Sequence, residues 1–313
     1  MKNIFYVLAL FGLFTCYADD REALKRIPAH YDYVLAVRFP EMLKNEKVSQ
    51  KIFEDKEFLD FQKEMKSKIG LESKDIISLY IGGVAAQYQR MKSWRELSKQ
   101  QYDTAVFVEL AKPLDLAVVK QKFPGAFAAE KTVNGVTCVQ FKDEKIKNAY
   151  LAFLKPNLLM LTADHQLPEL TKLPIENSVL ADERARRLLT TNGFGGVCSF
   201  VHWGKIGEVH PMTPWMKDYN GGSFNLYFED NQDISAECTM TFNKLESVKG
   251  ASLLVNMGLS FLDFKPEFAQ LKRLIDFKVY EKNLLIDVKL TEKSWNMITK
   301  AFDEMKMKRR PRK

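Results

Sequence analysis

Short apolar runs broken by turn residues dominate this chain, with a few longer stretches of helical period between them. The run that organises the rest is Ala149–Ala163, AYLAFLKPNLLMLTA, which reads as two apolar strands around a turn at Lys155-Pro156-Asn157. Its alternation is weak, which predicts strands covered on both faces. The same shape returns at Phe277–Leu290, FKVYEKNLLIDVKL, with its turn at Glu281-Lys282-Asn283. Both turns lead into Asn-Leu-Leu, at Asn157 and at Asn283.

Further strands are predicted at Tyr33–Phe39, Asp75–Gly82, Thr104–Leu110, Val136–Phe141, Val197–Trp203, Ser223–Glu229 and Ile234–Phe242. Pro40 ends the first of them. Val133-Asn134-Gly135-Val136 is a hairpin turn signal. Helical spacing runs from Val48 to Ile69, where Gly70 stops it, and again over Pro113–Phe123, Leu180–Thr191 and Leu245–Phe264. Trp295, Ile298, Phe302 and Met305 form a last helical stripe, with Thr291 as its cap. Residues 87–101 are polar and read as an insertion between core strands, the first place to look for a partner surface. The predicted fold class is α+β. Two related halves, 19–175 and 176–305, each hold a mixed or antiparallel sheet with helices on one face, in a split β-α-β-like order.

The N-terminus stands apart. Met1-Lys2-Asn3 is followed by the apolar run IFYVLALFGLF and then by Thr-Cys-Tyr-Ala. This is the pattern of a signal peptide over residues 1–18, cut after Ala18. The run falls short of the roughly 20 apolar residues that a membrane span takes. Leu13-Phe14-Thr15-Cys16 also resembles a lipobox, in which Cys16 would carry a lipid and tether a soluble body to a membrane.

The formal net charge is +7, and Lys306, Lys308, Arg309, Arg310, Arg312 and Lys313 supply six of the positives. Setting those six and Lys2 aside from the 47 Lys and Arg leaves 40 basic side chains against 40 acidic ones. The high pI therefore belongs to the tail, 306–313, which reads as a solvated end or as a contact with an anionic polymer or lipid. A neutral body gives no reason to expect specific nucleic-acid binding. Cys138, Cys198 and Cys238 follow the leader and match no zinc spacing. Export would permit one disulfide, for which Cys198 and Cys238 are the pair. The preferred reading is three buried thiols. There is no Asn-x-Ser/Thr acceptor to support glycosylation.

Candidate chemistry is thin. His202 and His210 with Cys198 are the nearest thing to a metal cluster, since a spacing of four puts Cys198 and His202 on one face of a strand. A structural histidine and a buried thiol explain the same residues. Gly193-Phe194-Gly195-Gly196 precedes a strand, the wrong order for a phosphate cradle. Asp233 and Glu237 are a possible acid–base pair, and Arg184, Arg186 and Arg187 a possible anion site, although Asp182 and Glu183 beside them favour a solvated face. No residue is assigned a catalytic, cofactor-binding or metal-binding role.

The run Ile69-Gly70-Leu71-Glu72-Ser73-Lys74-Asp75-Ile76 after an apolar helix, with the Asn-Leu-Leu hairpins and the leader, resembles exported bacterial proteins of unknown function with tandem α+β halves. The resemblance implies an envelope or periplasmic setting and brings no catalytic residues with it. The expected function is an exported binding or scaffold protein with an envelope component as partner. The alternatives are an exported hydrolase with a scattered active site and a lipid-tethered surface lipoprotein.

Overall fold

Segments rich in β-branched and aromatic side chains form one 12-stranded sheet in the computed structural model of the chain. It describes residues 22–45, 56–84, 103–142, 148–172, 177–189, 196–204, 214–228, 233–261, 272–291, 293, 294 and 296. The expected leader with Cys16 and Ala18, the expected insertion at 87–101, Gly193–Gly195, His210, most of the stretch expected to form the last helix and the basic residues of 306–313 lie outside them.

The strands are β1 (Tyr33–Arg38), β2 (Ile76–Gly83), β3 (Thr104–Leu110), β4 (Phe127–Val133), β5 (Val136–Phe141), β6 (Ala149–Lys155), β7 (Leu158–Ala163), β8 (Cys198–His202), β9 (Tyr219–Phe228), β10 (Ile234–Phe242), β11 (Ile275–Tyr280) and β12 (Asn283–Leu290). Their order across the sheet is β11-β12-β10-β9-β8-β1-β2-β3-β7-β6-β5-β4. Every pairing is antiparallel. The fold is thus α+β, dominated by an antiparallel sheet with few helices. Among the described residues the α-helices are α1 (Phe39–Lys44), α2 (Lys56–Ile69), α3 (Leu116–Lys122), α4 (Leu167–Leu170), α5 (Glu183–Arg187) and α6 (Leu245–Phe261). In β10–α6–β11 the strands either side of the helix run parallel with β12 between them, which is a split β-α-β unit.

Local chemistry sets the boundaries. The β4–β5 turn places Asn134 at φ 50° and Gly135 at φ 80°, the positive pair that a two-residue hairpin turn demands. α2 ends at Gly70, at φ 74°, whose N–H reaches the Lys66 carbonyl at 3.1 Å. α3 starts at Leu116, later than Pro113, because the Asp115 carboxylate accepts the Ala117 N–H at 2.7 Å and caps the helix there. Pro40 does more than end a strand. It lies in the first turn of α1, where its missing N–H costs nothing.

Along β1 the side chains alternate between two apolar clusters. Tyr33, Leu35 and Val37 enter the first, with Phe39 and Met42 of α1, Ile69 of α2 and Val119 of α3. Val34 and Ala36 enter the second, with Leu24, Ile27, Leu167 and Leu170 of α4, and Ala185 of α5. Helices therefore cover both faces, not one as expected. The reason is that β1, β3 and β7 are apolar on both sides, and each side must be kept from water. α6 packs through Val248 and Ala251 on Phe242 and Leu284. Ile286 belongs to that third cluster and Val288 to the first, so the two lie on the same face of β12. The opposite face of the outer strands is polar, with Glu237, Asp276, Lys278 and Lys289 exposed.

Candidate functional site

Titratable side chains gather where the N-terminal end of β1 meets the C-terminal end of β8. Tyr33 pairs with Gly83 on one side and with His202 on the other, and His202 pairs in turn with Gly222. The glycines make room for rings laid on the sheet. A Cβ at Gly222 would lie 2.5 Å from the Thr239 carbonyl oxygen and 3.0 Å from Tyr219 Oη. One at Gly83 would lie 2.7 Å from the Asp103 carbonyl oxygen and 3.0 Å from Tyr33 Oη. Gly221 holds φ 133°, which side chains avoid.

In that space the His202 and Tyr219 rings stack with centroids 5.6 Å apart, and Nδ1 lies 3.4 Å from Tyr219 Oη. Tyr219 meets Phe242 edge-on at 5.9 Å. Burial lowers the His202 pKa below 6.5, opposed by the nearby Asp32 carboxylate, so the imidazole is held neutral. Burial also raises the Tyr219 phenol. Asp32 is fixed by the ladder: its N–H donates to the Gly83 carbonyl and its carbonyl accepts from Trp203 N–H, both at 2.9 Å. A Cβ at Gly204 would collide with the Asp32 carboxylate. With His202 only 6% exposed, the arrangement suits a packed, hydrogen-bonded imidazole better than a proton shuttle open to substrate.

Two more polar groups are built into the second face. The Gln166 amide satisfies its neighbours in one orientation, with nitrogen donating to Thr162 Oγ1 at 2.6 Å and the Thr104 carbonyl at 2.9 Å, and oxygen accepting from Tyr31 Oη at 2.7 Å. Glu109 accepts from the Ser78 hydroxyl. Burial raises the Glu109 pKa, against the Ser78 hydroxyl, the Arg38 guanidinium, the Tyr80 hydroxyl and the Ala23 N–H, all of which favour the carboxylate.

The residues singled out by sequence are not brought together. Cys198 and His202 share a face but lie at opposite ends of β8, about 13 Å apart at 3.3 Å per residue, too far to share an ion. Among the described residues no group of three or more His, Cys, Asp or Glu side chains is placed to hold a metal. Asp233 lies just before β10, and Glu237 within it accepts instead from Tyr227 Oη at 3.1 Å. Arg184, Arg186 and Arg187 are exposed on α5, capped by Asp182, which accepts from Arg184 N–H and Ala185 N–H. The pairing of Cys198 with Cys238 is overturned. β9 lies between their strands, a separation of about 9.6 Å against the ~7 Å limit between Cα atoms of a disulfide. Cys138, Cys198 and Cys238 are free thiols, and burial raises the pKa of each, that of Cys238 to about 11.

Asp32, Tyr219 and Glu109 were not legible as site residues. The signal that points to the first two is the pair of glycine doublets, Gly82-Gly83 and Gly221-Gly222. Both lie inside strands where rings approach the backbone. No described helix is long and apolar enough to cross a membrane. By sequence the chain matches no protein family and no curated protein. Among solved structures it is similar to one described as "Structure of crystal form I of TP0453", at a TM-score of 0.46 and 12% identity, covering 91% of this chain and 99% of that one, a likeness too distant to carry a functional argument.

Proposed function

We propose that this chain is an exported protein of a bacterial envelope that binds or scaffolds another envelope component through its second half, without chemical turnover. The observation that carries the reading is α6. Its inner side is buried through Val248, Ala251 and Leu259, yet its outer side is apolar too, with Leu253 61%, Met257 48% and Leu254 38% exposed. Gly250–Phe261 contains no charged residue. Beside the exposed Asn256 and Ser260, these side chains make an apolar patch of the kind that marks a binding surface. The leader at residues 1–18 supplies the export in this reading. His202 is stacked on Tyr219 and lies near the Asp32 carboxylate, which supports a structural role over a catalytic one.

The body is, in this proposal, a duplication. On one side of the β1–β8 pair the sheet runs β1-β2-β3-β7, and on the other β8-β9-β10-β12. In each, a helix and a hairpin follow the third strand, and the last strand returns to pair with that third strand. The first half carries β4 and β5 in addition.

Mass spectrometry of the chain produced in a bacterial host tests the export. The expected mature protein starts at Asp19. An acylated Cys16 would shift the reading to a tethered lipoprotein, and an intact chain in the cytosol would defeat both. For the binding surface, L253E combined with M257E should release the protein from envelope fractions with its circular dichroism unchanged. Undiminished retention would contradict the role given to α6.

A further inference from the structure

Across the outer strands Glu237 of β10 faces Asp287 of β12, and Asp287 faces Asp276 of β11, all on the polar side of the sheet. Like charges directly opposite one another weaken strand pairing. Tyr227 relieves the inner end of this row by its hydrogen bond to Glu237. Its outer end, Asp276, is exposed on the last strand of the sheet. Beyond β11 no described strand follows, and Val279 and Tyr280 stand 40% and 61% exposed there. Such an edge is a template for another strand.

The residues of β11 are self-complementary. Laid antiparallel on a second copy with Phe277 opposite Phe277, β11 sets Asp276 against the second copy's Lys278, and Lys278 against the second copy's Asp276. Ile275 then faces Val279 on the apolar side. Within the chain, Phe277 lies opposite Ile286 and Asp276 opposite Asp287, so the two faces of β11 keep the same apolar and charged sense through this register. We propose that β11 pairs with β11 of a second copy about a two-fold axis at Phe277, making one sheet continuous through two chains. The second copy's Lys278 then sets a cation directly opposite Asp276, at the outer end of the row Glu237–Asp287–Asp276. The axis stands perpendicular to the sheet, so both copies of α6 fall on the same side of it, and their apolar outer faces join one surface.

Sedimentation of the full-length chain over a concentration series tests this. The wild type is expected to reach a dimer. K278D puts an acid opposite Asp276 and should weaken the dimer by about tenfold or more, since two symmetric pairs turn repulsive together. D276K puts two lysines opposite each other and should weaken it as well. Because D276K also removes the repulsion from Asp287, its monomer should be at least as stable as wild type, so its loss of dimer is not a loss of fold. The double variant D276K/K278D should restore the dimer. A wild type that stays monomeric, a dimer indifferent to the single reversals, or a double variant no better than either single would overturn the proposal.

Discussion

His202 is buried and Glu109 half-buried, with opposite consequences for stability. The folded chain holds His202 below its ordinary pKa of 6.5, so the unfolded chain binds the proton more readily. Its contribution is complete above pH 6.5 and is lost as the pH falls from there through the folded value. Urea midpoints at pH 7.5 and 5.5 should therefore differ more in wild type than in H202F, which keeps the stack on Tyr219 but takes no proton. Equal differences would remove His202 from the account. Glu109 works the other way. Its folded pKa lies above 4.5, so its contribution is complete below that value and is lost as the pH rises through the folded one. E109Q keeps an acceptor for Ser78 and Tyr80 and should be at least as stable as wild type at pH 8, with the gap closing towards pH 4. G222A should destabilise by about 1–3 kcal/mol, because its Cβ meets the Thr239 backbone, which has little freedom to yield.

At the scale of the element, α6 and the β10–β12–β11 ladder each carry a local cost. Among the described residues a Cβ at Gly258 would meet nothing within 4 Å, so no packing among them explains the glycine. G258A should raise stability by about 0.5–1 kcal/mol in thermal or urea melts. Asp287 sits between Glu237 and Asp276, and D287N should add roughly 0.2–1 kcal/mol, less at high salt, where the repulsion is already screened. Elements whose signals are local were legible. The Asn134-Gly135 turn, the two Asn-Leu-Leu hairpins, the stop at Gly70 and the cap at Thr291, whose Oγ1 lies 3.4 Å from Ser294 N–H, all read directly from neighbouring residues. Elements set by distant partners were not. β4, which pairs with its hairpin neighbour β5, escaped for a different reason: it reads as polar because one edge and much of its surface face water. The strand β9 begins at Tyr219, through two glycines, because β8 and β10 pair on either side of it. The site suffers the same limit. Asp32 and His202 are 170 positions apart in the sequence, and only the β1–β8 register brings them together.

At the scale of the whole molecule, β1 and β8 are the seam on which both sides depend. The first cluster joins Tyr33, Val106 and Leu151 to Cys198, Leu226 and Ile234, and the second joins Phe107 and Met160 to Val201 and Trp203. Neither side of the seam has a core of its own within those two clusters, so unfolding should be one cooperative event. Tryptophan fluorescence and far-ultraviolet circular dichroism are expected to report the same urea midpoint. The most direct test of the account is native-state hydrogen exchange at the seam. The amides of Val34–Val37 and Ser199–Val201 are predicted to exchange only through global unfolding, slower than those of the outer strands β4 and β11. Seam amides that open independently of the rest, at edge-strand rates, would contradict a single sheet built outward from β1 and β8.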